Sequence, residues 1–219
     1  MAITREKGFK GGTDQISLME KILILIKHRA AFLWQIIEWG NAVTFSFLYR
    51  KQMESGIEKI IQNHSSPPFL YRRLVVKDAS RLHELIHSQN PKDLEYFNPH
   101  QFDPDSLRKQ FHNRAFLMMG AFDGEKMIGY FFLRFFANRK CFVGRLVDGN
   151  YRGKGVGRVM NRIMYETAWA MNFRCLSTIS RNNHFVMQAH SKNDSLKILK
   201  ELNNDYLLVE FIKTDKPIE

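Results

Sequence analysis

Cysteine is nearly missing from this chain: only Cys141 and Cys175 occur in 219 residues. They stand in separate apolar runs without metal-type spacing, so they read as two reduced core thiols, and no bound metal is expected. Long apolar runs are missing as well. The uncharged stretch Trp39–Tyr49 is eleven residues and includes Gly, Asn, Thr and Ser, far short of a membrane span. The apolar run Ile22–Ile26 ends at Lys27 with no small-residue cleavage site after it. A secretory signal is therefore not expected, and the sequence predicts a cytoplasmic protein. Nor is there any run of five or more basic residues or an internal repeat, so no nucleic-acid partner is expected.

What is present is a core-forming composition, 44% hydrophobic and 13% aromatic, with a formal charge of +11. The charge is spread, +3 over residues 1–67 and +8 over 68–219, and it favours anionic partners. Residues 1–66 read as an N-terminal helical extension. Met19, Ile22, Leu23, Ile26, Ala30, Leu33 and Ile37 follow helical steps, Gly40-Asn41 predicts a break, and Phe45, Leu48, Tyr49, Met53, Ile57 and Ile61 predict a second helix. Lysines and arginines flank aromatic residues here. Weak membrane-surface contact and a hairpin packed on the domain or on a second subunit, as in a homodimer, are the alternatives.

After the linker His64–Pro68, residues 67–219 read as one α/β (α+β) domain. A strand over Phe69–Val76 leads to a helix Ala79–Ser88 capped by Asp78. Residues 89–104 form a proline-bearing aromatic loop, and a short helix runs to His112. Ala115–Phe122 and Lys126–Phe136 flank Asp123-Gly124 and predict a hairpin. Lys140–Val147 is a strand and Arg158–Met171 a helix. Arg174–Ser180 is a strand, His184–Lys192 a helix, and Tyr206–Ile212 the last strand.

Between Lys140–Val147 and the following helix lies Val147-Asp-Gly-Asn-Tyr-Arg-Gly-Lys-Gly-Val-Gly157. A helix start leaves N–H groups unpaired at the positive end of its dipole, and Arg152, Lys154 and Arg158 add formal charge. This predicts an anion site for a phosphate or diphosphate. The stretch lacks the Lys-Ser/Thr ending of a Walker loop, and its evenly spaced Gly153, Gly155 and Gly157 miss the dinucleotide fingerprint.

Arg152-x-x-Gly155-x-Gly157, with Val147 five residues before the arginine and Tyr151 just before it, resembles the acyl-coenzyme A loop of the GNAT N-acetyltransferases. The order of elements from residue 69 onward is similar too. The resemblance implies a GNAT-type, mostly antiparallel sheet with flanking helices and a splayed strand pair. It implies acetyl-coenzyme A as cosubstrate and a small-molecule amine as acceptor. Carried over by position, Leu146 and Val147 would flank the pantetheine amides. Arg152, Gly153, Lys154, Gly155, Val156 and Gly157 would cradle the phosphates, and Asn183, or Asn182 if the register slips by one, would bind pantetheine. The family commonly places a proton-donating Tyr seven residues after that Asn; here His190 stands there. His190 is either a proton donor to the leaving thiolate, suited by an unperturbed pKa of ~6.5, or merely a polar helix residue.

Direct attack on a thioester requires a neutral amine, and an alkyl ammonium has a pKa of ~10. Glu210 is the clearest strand carboxylate as candidate base; Asp148 and Glu166 lie nearer the loop, and His100, His112 and His184 stay unassigned. Arg145 and Arg134 are charges inside strands. They either reach solvent or salt bridges, or meet an anionic acceptor such as a nucleotide-linked amino sugar used in surface-polysaccharide synthesis. A non-catalytic coenzyme A-binding regulatory or membrane-surface protein is the alternative reading.

Overall fold

The computed structural model describes residues 31–65, 67–190 and 195–214. The expected helix over residues 16–30 lies outside them. The chain divides into two units, residues 1–40 and 41–219.

Gly40-Asn41 does not break the chain. Helix α1 runs continuously over Ala31–His64. A helical Gly costs about 1 kcal/mol relative to Ala. Asn41 is held in place by tertiary hydrogen bonds: its Nδ2 donates to Phe135 O at 2.9 Å, and its Oδ1 accepts from Ala137 N at 2.9 Å. From there Phe45, Met53, Ile57 and Ile61 lie at helical spacing on one buried stripe. Along the same part of α1, Val43, Phe47 and Leu48 are exposed.

The sheet has seven strands in the order β1-β2-β3-β4-β5-β7-β6. They are β1 (Leu70–Arg73), β2 (Phe116–Asp123), β3 (Lys126–Phe136), β4 (Lys140–Val147), β5 (Arg174–Ser180), β6 (Leu196–Glu201) and β7 (Tyr206–Phe211). Only β4 and β5 run parallel. The hairpin β2–β3 forms as expected, turning at Gly124 with φ +56°. β3 is covered on both faces, as its unbroken apolar run requires.

One face packs against α1 and α5 (Val156–Ala170), with Phe45, Ile57, Phe131, Phe135, Cys141, Val143, Met160 and Ile163 in a single core. The other packs against α2 (Ala79–His87) and α4 (Pro104–His112), with the short α3 (Pro91–Leu94) beside them. Cys141 and Cys175 are paired in register and fully buried, and burial pushes both thiols up in pKa. They are inert core residues.

Three local expectations need correction. β1 ends at Arg73, because Asp78 does not cap α2 with its side chain. Its carboxylate instead accepts from Val75 N and from both Nη atoms of Arg72, bending the chain into a short 3-10 turn at Val76–Asp78. α5 starts two residues earlier than expected, at Val156. Strand β6 was not anticipated; its charged, half-exposed sequence and its register shift near Ile198–Lys200 suit an edge strand.

Candidate active site

β4 and β5 are paired only from Lys140 to Phe142 and from Arg174 to Leu176. Beyond that, Ser177 Oγ still donates to Val143 O at 3.0 Å, and then the two strands part. Which β4 groups face the gap follows from the ladder with β3. Asp148 N donates to Ile128 O at 2.9 Å, so even-numbered β4 residues spend their backbone groups on β3. Val143, Arg145 and Val147 turn theirs toward the opening. Val147 therefore offers backbone groups there, whereas Leu146 does not: its backbone is paired with Tyr130, and its side chain is buried on the α2 face.

At the end of β4 the buried Asp148 accepts from Asn150 N at 2.9 Å and pairs with Lys126 at 3.1 Å, fixing the entry to the glycine loop. Gly153 and Gly155 have φ of +75° and +82°, and nothing lies within 4 Å of where their Cβ atoms would be. Both conformations disfavour any side chain, and the space beside them is open. Gly155 caps α5. Val156 is buried as its first apolar anchor, and Gly157 follows in the first turn. Lys154 lies over the Tyr151 ring, and Arg152 pairs with Asp93 of α3 at 3.0 Å. Exposed backbone, a helix N-terminus and the cations Arg152 and Lys154 thus follow the end of β4 that has parted from β5. That combination fits the diphosphate and pantetheine of a coenzyme A thioester.

Arg145 and Arg134 are not neighbours in one pocket. Arg145 points toward α5, where its Nε donates to Asn161 Oδ1 at 2.7 Å. Arg134 lies on the opposite face, its guanidinium 5.2 Å from the Phe136 ring centroid. There it lies near His100, whose pKa is depressed first by burial and then by the Arg134 charge. Asn183 caps α6 (His184–His190), its Oδ1 accepting from Val186 N at 3.1 Å. Its side-chain carbonyl is thereby engaged with the helix. His190 is the last residue of α6, and its side chain lies outside the described set.

Within the aromatic loop 89–104, Phe97, His100 and Phe102 turn inward. Phe97 and Phe102 pack on Tyr130, and His100 meets Phe116 edge-on. His100 Nε2 lies 2.7 Å from Tyr130 Oη and its Nδ1 lies 2.7 Å from Gln101 O. The carbonyl can only accept, so Nδ1 carries the proton and Nε2 accepts from the tyrosine. With both nitrogens engaged, His100 ties the loop to the sheet and has no lone pair left for substrate. Glu210 is also committed: Arg174 grips it through two bonds of 2.8 and 2.7 Å and holds its carboxyl below the usual range. Glu166 lies 2.8 Å from His64. No group of three or more His, Cys, Asp or Glu suited to a metal occurs among the described residues, and no helix among them is long and apolar enough to cross a membrane.

Among curated proteins none matches the sequence. Solved structures do. The GNAT domain of S. lividans PAT aligns with a TM-score of 0.56 at 15% identity, covering 64% of this chain and 88% of that one. The PaiA N-acetyltransferase from Thermoplasma acidophilum, solved in complex with coenzyme A, aligns at 0.55 and 18%, covering 66% and 99%. A ribosomal-protein-alanine N-acetyltransferase from Brucella melitensis aligns at 0.52 and 18%, covering 66% and 99%. At such identities these likenesses speak for the fold. The family assignment comes from the sequence itself, which matches the acetyltransferase (GNAT) family over residues 80–192, just over half the chain. With strand separation, glycine loop and helix in place, the chain belongs to the GNAT acetyltransferase family.

Proposed function

We propose that this protein transfers an acetyl group from acetyl-coenzyme A to a primary amine. The observation that carries the reading is the pair Gly153 and Gly155, held at positive φ beside open space where β4 parts from β5 and α5 begins. The coenzyme supplies an activated thioester. Backbone groups of Val147 bind its pantetheine arm, with Leu146 acting only through its buried side chain. The amides from Arg152 through Gly157, including those of Gly153, Lys154, Gly155 and Val156, hold its phosphates. Asn183 contributes its side-chain amide, since its carbonyl caps α6. His190, closing α6, donates the proton to the leaving thiolate.

Neither Glu210 nor His100 is free to act as base, so the amine loses its proton to water at the open gap. On the α2 face Arg134 provides the charge for an anionic acceptor, and a nucleotide-linked amino sugar is the acceptor class we favour. The reaction belongs in the cytoplasm, where coenzyme A thioesters are made. The exposed Val43, Phe47 and Leu48 of α1, followed by Arg50 and Lys51, form the surface for weak membrane contact or a homodimer.

Acetyl-coenzyme A at 100 times its Kd should stabilise the folded chain by about 2.7 kcal/mol, raising Tm by about 5–10 °C for a domain of this size. Thiol release should then follow with one member of a panel of nucleotide-linked amino sugars, polyamines and peptides. The absence of any thermal shift at millimolar ligand would sink the proposal. A shift with no thiol release across the panel would instead favour a coenzyme A-binding regulator.

A further inference from the structure

We propose that Arg145 is a coenzyme-binding residue on the donor side, its guanidinium supplying a fixed positive charge to the diphosphate at the first turn of α5. The proposal rests on the acetyl-coenzyme A reading above.

The three glycines of the loop serve two different purposes. Gly153 and Gly155 have positive φ and open space around them; Gly157 has neither. A Cβ on Gly157 would lie 2.8 Å from Arg145 Nη1 and 3.0 Å from its Cζ. The third glycine therefore makes room for a guanidinium laid against the helix. Asn161, one turn further along α5, fixes the same side chain by accepting from Nε at 2.7 Å. Asn161 is itself buried, so the arginine is held by a positioned partner rather than by a mobile surface group.

No carboxylate among the described residues pairs with Arg145. With Nε engaged, the N–H groups of Nη1 and Nη2 remain for another acceptor. Burial depresses its pKa from the usual arginine value, yet a guanidinium does not give up its proton in a protein. The charge is thus retained in a place that disfavours it, against the positive end of α5 at Gly157. A buried charge beside a positive helix end is tolerated when an anion lies with it. The diphosphate is that anion, and a neutral strut between β4 and α5 would have needed no charge.

The test compares coenzyme A with S-acetylpantetheine, which lacks the diphosphate, in wild type, Arg145→Met and Arg145→Lys. Titration calorimetry should show coenzyme A binding weakened roughly 10- to 100-fold in Arg145→Met, the range for a lost charge-assisted pair. Its dependence on salt should also be shallower. Arg145→Lys should recover part of the loss. The KM for S-acetylpantetheine should stay within twofold in all three. Coenzyme A affinity within twofold of wild type in Arg145→Met would overturn the proposal and leave Arg145 a strut. An equal loss for both ligands would overturn the diphosphate assignment in favour of the pantetheine arm. Wild type that fails to bind coenzyme A would instead remove the functional reading beneath it. If Arg145→Met does not fold, Asn161→Leu keeps the charge but frees the side chain. A loss of roughly 3- to 10-fold confined to coenzyme A then supports the proposal, and unchanged affinity overturns it.

Discussion

The glycine loop after β4 and the aromatic loop before α4 flank the same sheet but handle their polar groups in opposite ways. The glycine loop keeps side chains out of the way and leaves backbone exposed: Gly153 and Gly155 have nothing within 4 Å of a notional Cβ. The aromatic loop turns its side chains inward, spending Phe97, His100 and Phe102 on contacts with Phe116 and Tyr130. A region built to bind through backbone announces itself by its residue types. A region whose side chains complete the core looks, in sequence, like a pocket lining. Arg152 and Asp93 join the two at 3.0 Å, so the loops are separate in design but touch in space.

The contrast can be broken from either side. The largest effect should come from Gly155→Glu, which puts a side chain on a backbone at φ +82° and an acid where the proposed function seats the phosphates. The acetyl-coenzyme A thermal shift should vanish, and a retained shift would mean that the loop is not the donor site. His100→Leu should act on the other side, leaving coenzyme A affinity unchanged while stranding the buried Tyr130 hydroxyl. Chemical denaturation should show a loss of about 1–3 kcal/mol.

That variant also has a pH signature. Burial lowers the folded-state pKa of His100 below its usual 6.5, so the unfolded chain binds the proton more readily. Its contribution to stability is full above the unfolded value and is lost as pH falls through the lower folded one. His100→Leu should flatten that part of the stability profile.

Asp148→Ala should cost about 1–2 kcal/mol by releasing Asn150 N and Lys126, and should weaken coenzyme A several-fold by loosening the loop entry. Asp93→Asn removes the partly exposed carboxylate that pairs with Arg152. Coenzyme A should then bind about two- to threefold more tightly, the scale of an exposed ion pair. The smallest effect is expected from Glu210→Gln, with turnover within twofold of wild type. A collapse of turnover there would return Glu210 to the role of base.

Sequence periodicity located β2 to β5, α5 and the loop within a residue or two, because β-branched and aromatic runs bounded by Asp123-Gly124 and the glycines leave few alternatives. It failed where a tertiary contact overrides local preference. Gly40-Asn41 reads as a break, and only the approach of Phe135 O and Ala137 N keeps Asn41 in a helix. Asp78 reads as a cap, until Arg72 arrives across the turn. The choice between Leu146 and Val147 was also out of reach, because it depends on the phase of hydrogen bonding between β3 and β4. Arg145 and Arg134 stand eleven positions apart in the sequence, and only the strand register sends them to opposite faces. One signal was available and unused: a third glycine that the loop's turn does not require.

The clamp made by Asn41 bears on where this enzyme can be cut. The family segment begins at residue 80, yet Phe45, Met53, Ile57 and Ile61 fill the same core as Phe135, Cys141 and Phe173. Phe45 stacks on Phe135 with centroids 4.8 Å apart. A fragment starting at residue 67 would carry the whole donor loop and still leave an uncovered apolar face beneath it. A chain cut at residue 67 should therefore lose cooperative unfolding that one cut at Asn41 keeps, as a denaturation curve would show, so the smallest autonomous piece reaches beyond the family segment into α1.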